Sequence, residues 1–320
     1  MIVNPITVRV ARKTKEAEDV ASFELVGVDG ISLPPFSAGA HIDVQVHGSM
    51  VRQYSLCNDP AEAHRYVIGV LKEPNSRGGS AAMHSDVKAG DLLCISAPKN
   101  HFPLIPAKKN LLFAGGIGVT PILCMAERLA QNGADFEMHY CTRGVERTAF
   151  YELILASAFA DKVAFHFDAG AAQQKLNTVD VLTNAGPDAH LYVCGPTGFI
   201  NHVIDTAKSL NWTSDRIHSE YFSAAPADTT EDTAFIVKIA SSGKEYVIPA
   251  DKTVVQALET HGIEIPVSCE QGVCGTCVTR VLSGRPEHRD MYFTDDEHEK
   301  NDQFTPCCSR AYSSSLVLDL

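Results

Sequence analysis

Four cysteines near one end of the chain stand in a single pattern, Cys269-x4-Cys274-x2-Cys277-x29-Cys307. Three closely spaced thiolates with a fourth returning from a distance are the ligand spacing of a plant-type [2Fe–2S] cluster. Gly272 and Gly275 let the loop fold tightly and aim amide N–H groups at sulfur. A structural zinc site would show two CxxC pairs, or one with two histidines, and only one CxxC is present. A disulfide framework belongs to small secreted chains, whereas this one has 320 residues. Cys308 adjoins the fourth position. Neighbouring side chains on extended backbone point to opposite sides, so one of the two ligates. Cys307 is assigned that part and Cys308 is read as a neighbouring thiol.

The length implies two or three domains. With 45% hydrophobic and 21% charged residues, each can bury a core. A net charge of −12 argues against non-specific nucleic-acid binding and suits a basic partner surface. The N-terminal stretch has no basic region followed by a long apolar core, so no secretory signal is visible. The apolar run Leu111–Ala114 is far too short to span a bilayer. No membrane role is expected, and the cytoplasm is the expected location.

Residues 1–105 alternate as short β-rich runs at Thr7–Arg12, Val20–Val26, His41–Val46, Val51–Leu56, Arg65–Leu71 and Asp91–Ser96. Gly, Pro, Asn and Asp punctuate them, as in an antiparallel barrel or sandwich. Residues 106–223 change texture. Strand patterns at Asn110–Ala114, Phe136–Cys141, Ala164–Phe167 and His190–Cys194 alternate with helical ones, which implies a doubly wound α/β domain. Thr120 fits a helix N-cap, Pro121 the first helical position and Gly133 the stop. Residues 224–233, small and acidic, read as a linker. In residues 234–320, Ala234–Ala240 and Glu245–Ile248 fit a hairpin and Thr253–His261 a short helix before the cysteine loop.

Two further motifs carry chemistry. Arg52-Gln-Tyr54-Ser55-Leu56 ends a strand, and Ser76-Arg77-Gly78-Gly79-Ser80 follows before a helical run at Ala81–Ser85. A guanidinium binds phosphate in a bidentate way. Tyr54 can stack on a planar ring and Ser55 can hydrogen-bond a ring nitrogen, so together the two segments point to a flavin. Gly115-Gly116-Ile117-Gly118-Val119-Thr120-Pro121 joins a strand to a helix, where glycines let backbone approach a pyrophosphate. It differs from GxGxxG. Cys194-Gly195-Pro196 ends a later strand, where ligands sit in such sheets. Cys194 has two open readings, a thiol facing a nicotinamide ring or a buried one.

The order of flavin barrel, GGIGVTP, CGP and plant-type cysteine loop resembles the phthalate dioxygenase reductase family, which includes reductases of vanillate demethylase. The resemblance covers nearly the whole chain. It implies a β-grasp ferredoxin fold for the last domain, FMN rather than FAD, and NADH rather than NADPH. It places Arg52, Tyr54, Ser55 and Leu56 in the flavin motif and Arg77, Gly78, Gly79 and Ser80 in the phosphate segment. Gly115, Gly116, Gly118, Thr120, Pro121, Cys194, Gly195 and Pro196 fall in the nucleotide site. Phe222, in Glu220-Tyr221-Phe222, matches the family's flavin-covering aromatic. Ser55, Cys194 and Phe222 are the expected catalytic residues. Cys307-Cys308-Ser309-Arg310-Ala311 resembles the last-ligand motif, and Cys308 departs from it where an apolar residue is ordinary.

The implied activity is electron transfer from NADH through FMN and the cluster to a terminal Rieske oxygenase. Flavin belongs between a two-electron hydride donor and a one-electron acceptor. From a plant-type cluster at about −400 mV to a Rieske centre at about −150 mV or higher, transfer is downhill by roughly four decades at about 59 mV per decade. One alternative is a reductase serving another acceptor such as a cytochrome P450. A second is a non-enzymatic nucleotide- and metal-binding module, for which a colourless protein would speak.

Overall fold

The computed structural model describes residues 2, 4–48, 50–74, 78–223 and 229–320. By its internal contacts the chain divides into two compact units, one up to Glu220 and one from Tyr221 on.

The first unit opens with a sheet of β1 (Ile6–Ala17), β2 (Val20–Gly27), β3 (Ala40–His47), β4 (Met50–Ser55), β5 (Arg65–Leu71), β6 (Leu92–Ile95) and β7 (Lys99–Asn100). The spatial order is β4-β3-β6-β1-β2-β5, and β7 pairs with β3. An antiparallel bridge between Leu56 and Ile68 ties the end of β4 to β5, which brings the two outer strands together as a barrel. The period-2 alternation dictates this. Val8, Val10, Phe23, Leu25, Ile42, Val44 and Ile68 turn inwards to a common core. The short helix α1 (Gly79–Ser85) follows β5 and buries Met83 against that core.

A second sheet follows, of β8 (Lys109–Gly115), β9 (Phe136–Thr142), β10 (Val163–Phe167), β11 (Ala189–Gly195) and β12 (Ile217–Tyr221), in the order β10-β9-β8-β11-β12. The pairings of β8 with β9, β9 with β10 and β8 with β11 are parallel. The strand order reverses at β8, so the C-terminal ends of β8 and β11 lie side by side at a topological switch point. The connecting helices are α2 (Val119–Gln131), α3 (Tyr151–Leu155), α4 (Thr178–Asn184) and α5 (Thr197–Ser209). Ile122, Leu123, Met125 and Leu129 of α2 are buried, at about 1.5–3 kcal/mol per side chain. Gly133, with φ of 63°, follows its end.

One local expectation is corrected. Helix α2 begins at Val119 with Gly118 at the N-cap, and Thr120 lies inside its first turn. Gly116–Gly118 already form a 3-10 turn that runs into the helix. The Thr120 hydroxyl therefore donates back to the Ile117 carbonyl, at 3.0 Å.

Barrel and parallel sheet share buried structure. Ala17, Val20, Ala38, Cys57 and Phe102 pack in one core with Leu112, Leu123, Met125 and Phe150. The Glu18 amide also donates to the Glu146 carbonyl at 2.8 Å. This is why the two sheets count as one unit.

The second unit holds β13 (Phe235–Ile239), β14 (Glu245–Ile248), α6 (Val254–Glu259), β15 (Thr279–Ser283), β16 (Pro286–Glu287), α7 (Asp295–Lys300), β17 (Gln303–Phe304), β18 (Arg310–Ala311) and β19 (Ser315–Leu318). The main sheet runs β14-β13-β19-β15-β17, with β13 and β19 parallel. Helix α6 is fixed by a capping box between Thr253 and Gln256 and buries Val254, Ala257 and Leu258. This hairpin, helix and returning parallel strand are the β-grasp arrangement.

The expected linker 224–233 is only partly within the described residues. Its last part is anchored rather than loose. The Asp232 carboxylate is buried and meets Arg289 at 2.5 Å and Arg310 at 3.5 Å. Arg310 also donates to the backbone carbonyls of Thr233, Pro249 and Lys252. Removing one partner strands buried charge, which costs about 3–5 kcal/mol. Asp232→Ala is accordingly expected to destabilise the second unit by at least about 3 kcal/mol. Denaturant unfolding read at the visible absorbance of the cysteine domain measures it, and a loss below about 1 kcal/mol would show the contact to be a surface pair only.

Candidate electron-transfer site

The barrel supplies the first part. Tyr54 and Ser55 close β4, and Leu56 follows in the bridge to β5. Gly78 precedes α1 with φ of 95°, a backbone that favours glycine. Gly79 is buried, and a Cβ there would stand 2.7 Å from Cγ and Nε of Arg52. The absence of a side chain is what lets Arg52 lie against this turn. Ser80 accepts from the Glu73 amide at 3.1 Å. Arg77 lies outside the described residues. The Tyr54 hydroxyl is buried without a hydrogen-bond partner among the described residues. A buried donor left so costs about 1–3 kcal/mol, which fits a ring system with acceptors lying against it.

At the switch point the backbones nearly touch. A Cβ on Gly118 would stand 2.2 Å from the Cys194 carbonyl oxygen, and one on Gly195 2.8 Å from the Gly115 Cα. A Cβ on Gly115 would meet Pro196 and Phe199, whereas one on Gly116, at φ of 52°, would meet open space. Helices α2 and α5 both start here, at Gly118 and Pro196, and neither has a side-chain cap. Amides at helix starts suit an anion such as a pyrophosphate. Thr120 and Pro121 are buried in the first turn of α2.

Cys194 is fully buried, and burial with the nearby Glu220 carboxyl pushes its thiol well up. Glu220 was not among the residues singled out from the sequence. Burial raises its carboxyl to about 8, and the Ser55 hydroxyl donates to its Oε2 at 3.5 Å. Ser55 from the barrel, Cys194 from β11 and Glu220 from β12 thus meet in one polar spot where the two sheets join. No local signal marks Glu220, because its burial depends on the barrel end reaching β12. Phe222 follows β12 at the start of the second unit and is 37% exposed.

The cysteine loop brings its thiols together. Cys269 accepts from Cys274 and Cys307, which holds its thiol low, and contact with Cys269 and Cys277 pushes Cys307 up. The amides of Gln271 and Val273 also donate to the Cys269 sulfur, at 3.3 and 3.5 Å. Cys308 lies beside Cys307 but turns to the Thr305 hydroxyl, 3.2 Å away. All ten cysteines are thiols rather than disulfides. Cys269 thus meets Cys274 and Cys307, and Cys307 meets Cys277; four thiols linked in this way, with amide donors aimed at one of them, fit an iron–sulfur cluster.

A barrel with an arginine–glycine cradle, an α/β sheet with a glycine-lined switch point and a β-grasp domain with clustered thiols define an electron-transfer oxidoreductase. Residues 237–312 match the family model described as the 2Fe-2S iron-sulfur cluster binding domain. The vanillate O-demethylase oxidoreductase of Pseudomonas putida is 56% identical over 313 residues, covering 97% of this chain and 98% of its own. The solved structure of phthalate dioxygenase reductase, a modular structure for electron transfer from pyridine nucleotides to [2Fe–2S], aligns with a TM-score of 0.78. It is 40% identical and covers 99% of this chain and 98% of its own. An intact type IV self-sufficient cytochrome P450 monooxygenase contains a similar region, 33% identical with a TM-score of 0.85, covering 99% of this chain and 41% of its own. The chain belongs to the phthalate dioxygenase reductase family, alongside the vanillate O-demethylase oxidoreductases. No helix among the described residues is long and apolar enough to cross a membrane.

The Glu220 carboxyl gives this site a pH signature. Below its ordinary value of 4.5 the group is protonated in folded and unfolded chain alike. Between 4.5 and about 8 the unfolded chain ionises while the folded one keeps the proton, so stability falls as pH rises. The loss by pH 8 is on the order of 4 kcal/mol. Glu220→Gln is expected to flatten this slope, and thermal unfolding of both proteins at pH 5 and 8 checks it. Parallel slopes would show that the carboxyl ionises freely in the folded state.

Proposed function

We propose that this chain is the NADH-dependent reductase component of a two-component Rieske oxygenase of the vanillate demethylase type, with FMN as its flavin. The observation that carries the reading is the near-complete, 56% match to a vanillate O-demethylase oxidoreductase. The thiol cluster, the glycine-lined switch point and the Arg52 cradle agree with it. Three domains follow: a flavin barrel over 1–105, a nucleotide domain over 106–223 and a ferredoxin domain over 234–320, with 224–233 between them. Ten thiols without a disulfide suit a reducing compartment such as the cytoplasm.

The chain's residues divide the work. Arg52 supplies a guanidinium for the FMN phosphate, with Gly78, Gly79 and Ser80 as the turn that receives it and Arg77 beside them. Tyr54 and Leu56 would line the ring's side, and Phe222 is carried over from the family pattern as the aromatic expected to cover a flavin. Gly115, Gly116 and Gly118, with Gly195 and Pro196, admit the dinucleotide at the ends of β8 and β11, above Thr120 and Pro121. Ser55 presents a hydroxyl at the ring edge, and Glu220 keeps a proton within its reach. Cys194 would line the nucleotide side of this spot with a buried, un-ionised thiol. Cys269, Cys274, Cys277 and Cys307 are the iron ligands. When bound, the flavin supplies the conversion between two-electron and one-electron transfer, and the cluster the single-electron exit.

The purified protein is expected to be coloured, to release FMN on acid extraction and to contain two iron atoms per chain. With NADH it should support turnover of a vanillate-type Rieske oxygenase. Release of FAD alone, zinc in place of iron, or NADH oxidation with no Rieske turnover would overturn the reading. The likeness to a self-sufficient P450 favours a second reading, and turnover with a P450 acceptor alone would select it.

The adjacent thiols separate by substitution. Cys307 reaches Cys269 and Cys277, whereas Cys308 reaches Cys307, Thr305 and Ser309. Cys307→Ser is expected to lose the cluster signal in electron paramagnetic resonance of the reduced protein, and Cys308→Ser to keep it. The opposite result moves the ligand to Cys308.

A further inference from the structure

Beside the cysteine loop, His288, Asp290 and His298 converge. Their geometry does not suit a shared metal ion. The two imidazole rings stack with centroids 4.3 Å apart and planes 29° apart. A metal bonds in the plane of each ring, along the nitrogen lone pair, and near-parallel stacked rings cannot both meet that demand at one point. The Asp290 carboxylate is moreover already engaged. It is wholly buried, and its Oδ2 accepts from the amides of Tyr292 and Phe293 at 3.2 and 3.0 Å and faces His298 Nε2 at 3.2 Å. Its Oδ1 faces the Ser309 hydroxyl at 3.4 Å.

What this carboxylate organises is the wall of the cluster loop. The two amides it accepts shape the 290–293 turn, and that turn lies directly on the loop. The Met291 amide donates to the Gly272 carbonyl at 3.0 Å. A Cβ on Gly272 would stand 2.9 Å from Cα and Cβ of Asp290 and 2.4 Å from the Cys308 sulfur. A Cβ on Gly275 would stand 2.2 Å from the Tyr292 ring. Both loop glycines, each at positive φ, are therefore packed against the segment that Asp290 holds. On the other side, Ser309 lies two residues beyond Cys307 and also accepts from the Arg289 amide at 3.2 Å.

We propose that Asp290 is a positioning residue for the iron–sulfur cluster, holding the 290–293 turn against the ligand loop and lowering the cluster's reduction potential by its buried negative charge. The proposal rests on the reading of Cys269, Cys274, Cys277 and Cys307 as ligands. The charge argument is Coulombic. Reduction adds an electron beside a carboxylate shielded from water, where the interaction is much stronger than at the surface.

The test compares full-length wild type with Asp290→Asn, Asp290→Ala and Asp296→Asn, the last on the exposed face of α7. Iron content, flavin content, electron paramagnetic resonance of the reduced protein and a redox titration are measured. Asn keeps an oxygen acceptor for the turn and removes the charge. Asp290→Asn is expected to retain wild-type iron and to shift the reduction equilibrium tenfold or more towards the reduced cluster, about 59 mV upwards. Asp290→Ala is expected to lose at least half of the iron while keeping its flavin, and Asp296→Asn to leave the potential in place. Full iron and a wild-type resonance spectrum in Asp290→Ala would overturn the positioning role. A wild-type potential in Asp290→Asn, or an equal shift in Asp296→Asn, would overturn the role of the buried charge, and Asp290→Asn decides alone where Asp290→Ala does not fold. Wild type without iron would overturn the ligand reading itself, and the two failures are thereby distinguished.

Discussion

The tightest constraint in this chain is backbone against backbone at the ends of β8 and β11. Gly118 faces the Cys194 carbonyl with no room for a Cβ, and Gly195 faces Gly115 in the same way. Close approach of this kind fixes the start of α2 relative to the sheet. It also leaves two uncapped helix starts side by side. A site that must take a dinucleotide across a strand-order reversal needs both features. The neighbouring packing follows from them. The apolar face of α2 meets Ala38, Cys57 and Phe102 of the barrel side, so the anchoring of the helix also seats the barrel.

That seating produces the polar junction. Ser55 ends a barrel strand, while Cys194 and Glu220 end strands of the parallel sheet. They come together only because the two sheets share a core. Inside it a carboxyl keeps its proton near neutral pH and a thiol stays un-ionised, both through loss of water. The result is a held proton and an un-ionised thiol at one seam, both set by burial. A flavin bound at this seam would meet no fixed negative charge from either group.

Much of this was legible in the sequence, for identifiable reasons. Arg65–Leu71 and Glu245–Ile248 were read at their observed bounds because alternation and flanking turn residues agree. The cysteine spacing was legible because three ligands sit on one short loop, where spacing nearly dictates geometry. The start of α2 falls two residues before the one that a cap at Thr120 suggests, since a glycine-rich 3-10 turn carries no capping signature. Glu220 was passed over, as was the pairing of Asp232 with Arg289 across 57 residues. Both depend on burial that only tertiary packing creates, and an acidic residue in a small polar stretch ordinarily lies in solvent.

The adjacent residues Arg289 and Asp290 show how the second unit combines two tasks. The Arg289 guanidinium holds Asp232 of the connecting segment, while the Asp290 carboxylate holds the turn on the cluster loop. Ser309 joins them, accepting from the Arg289 amide and facing Asp290, two residues after Cys307. Buried charges are costly and persist where they are paired or hydrogen-bonded: Arg289 is paired with Asp232, and Asp290 accepts from two amides. The connecting segment and the ligand loop are thus fastened to the same short stretch of chain. Because the two residues are adjacent, one Ser309 hydroxyl meets both, accepting from the Arg289 amide and donating to the Asp290 carboxylate.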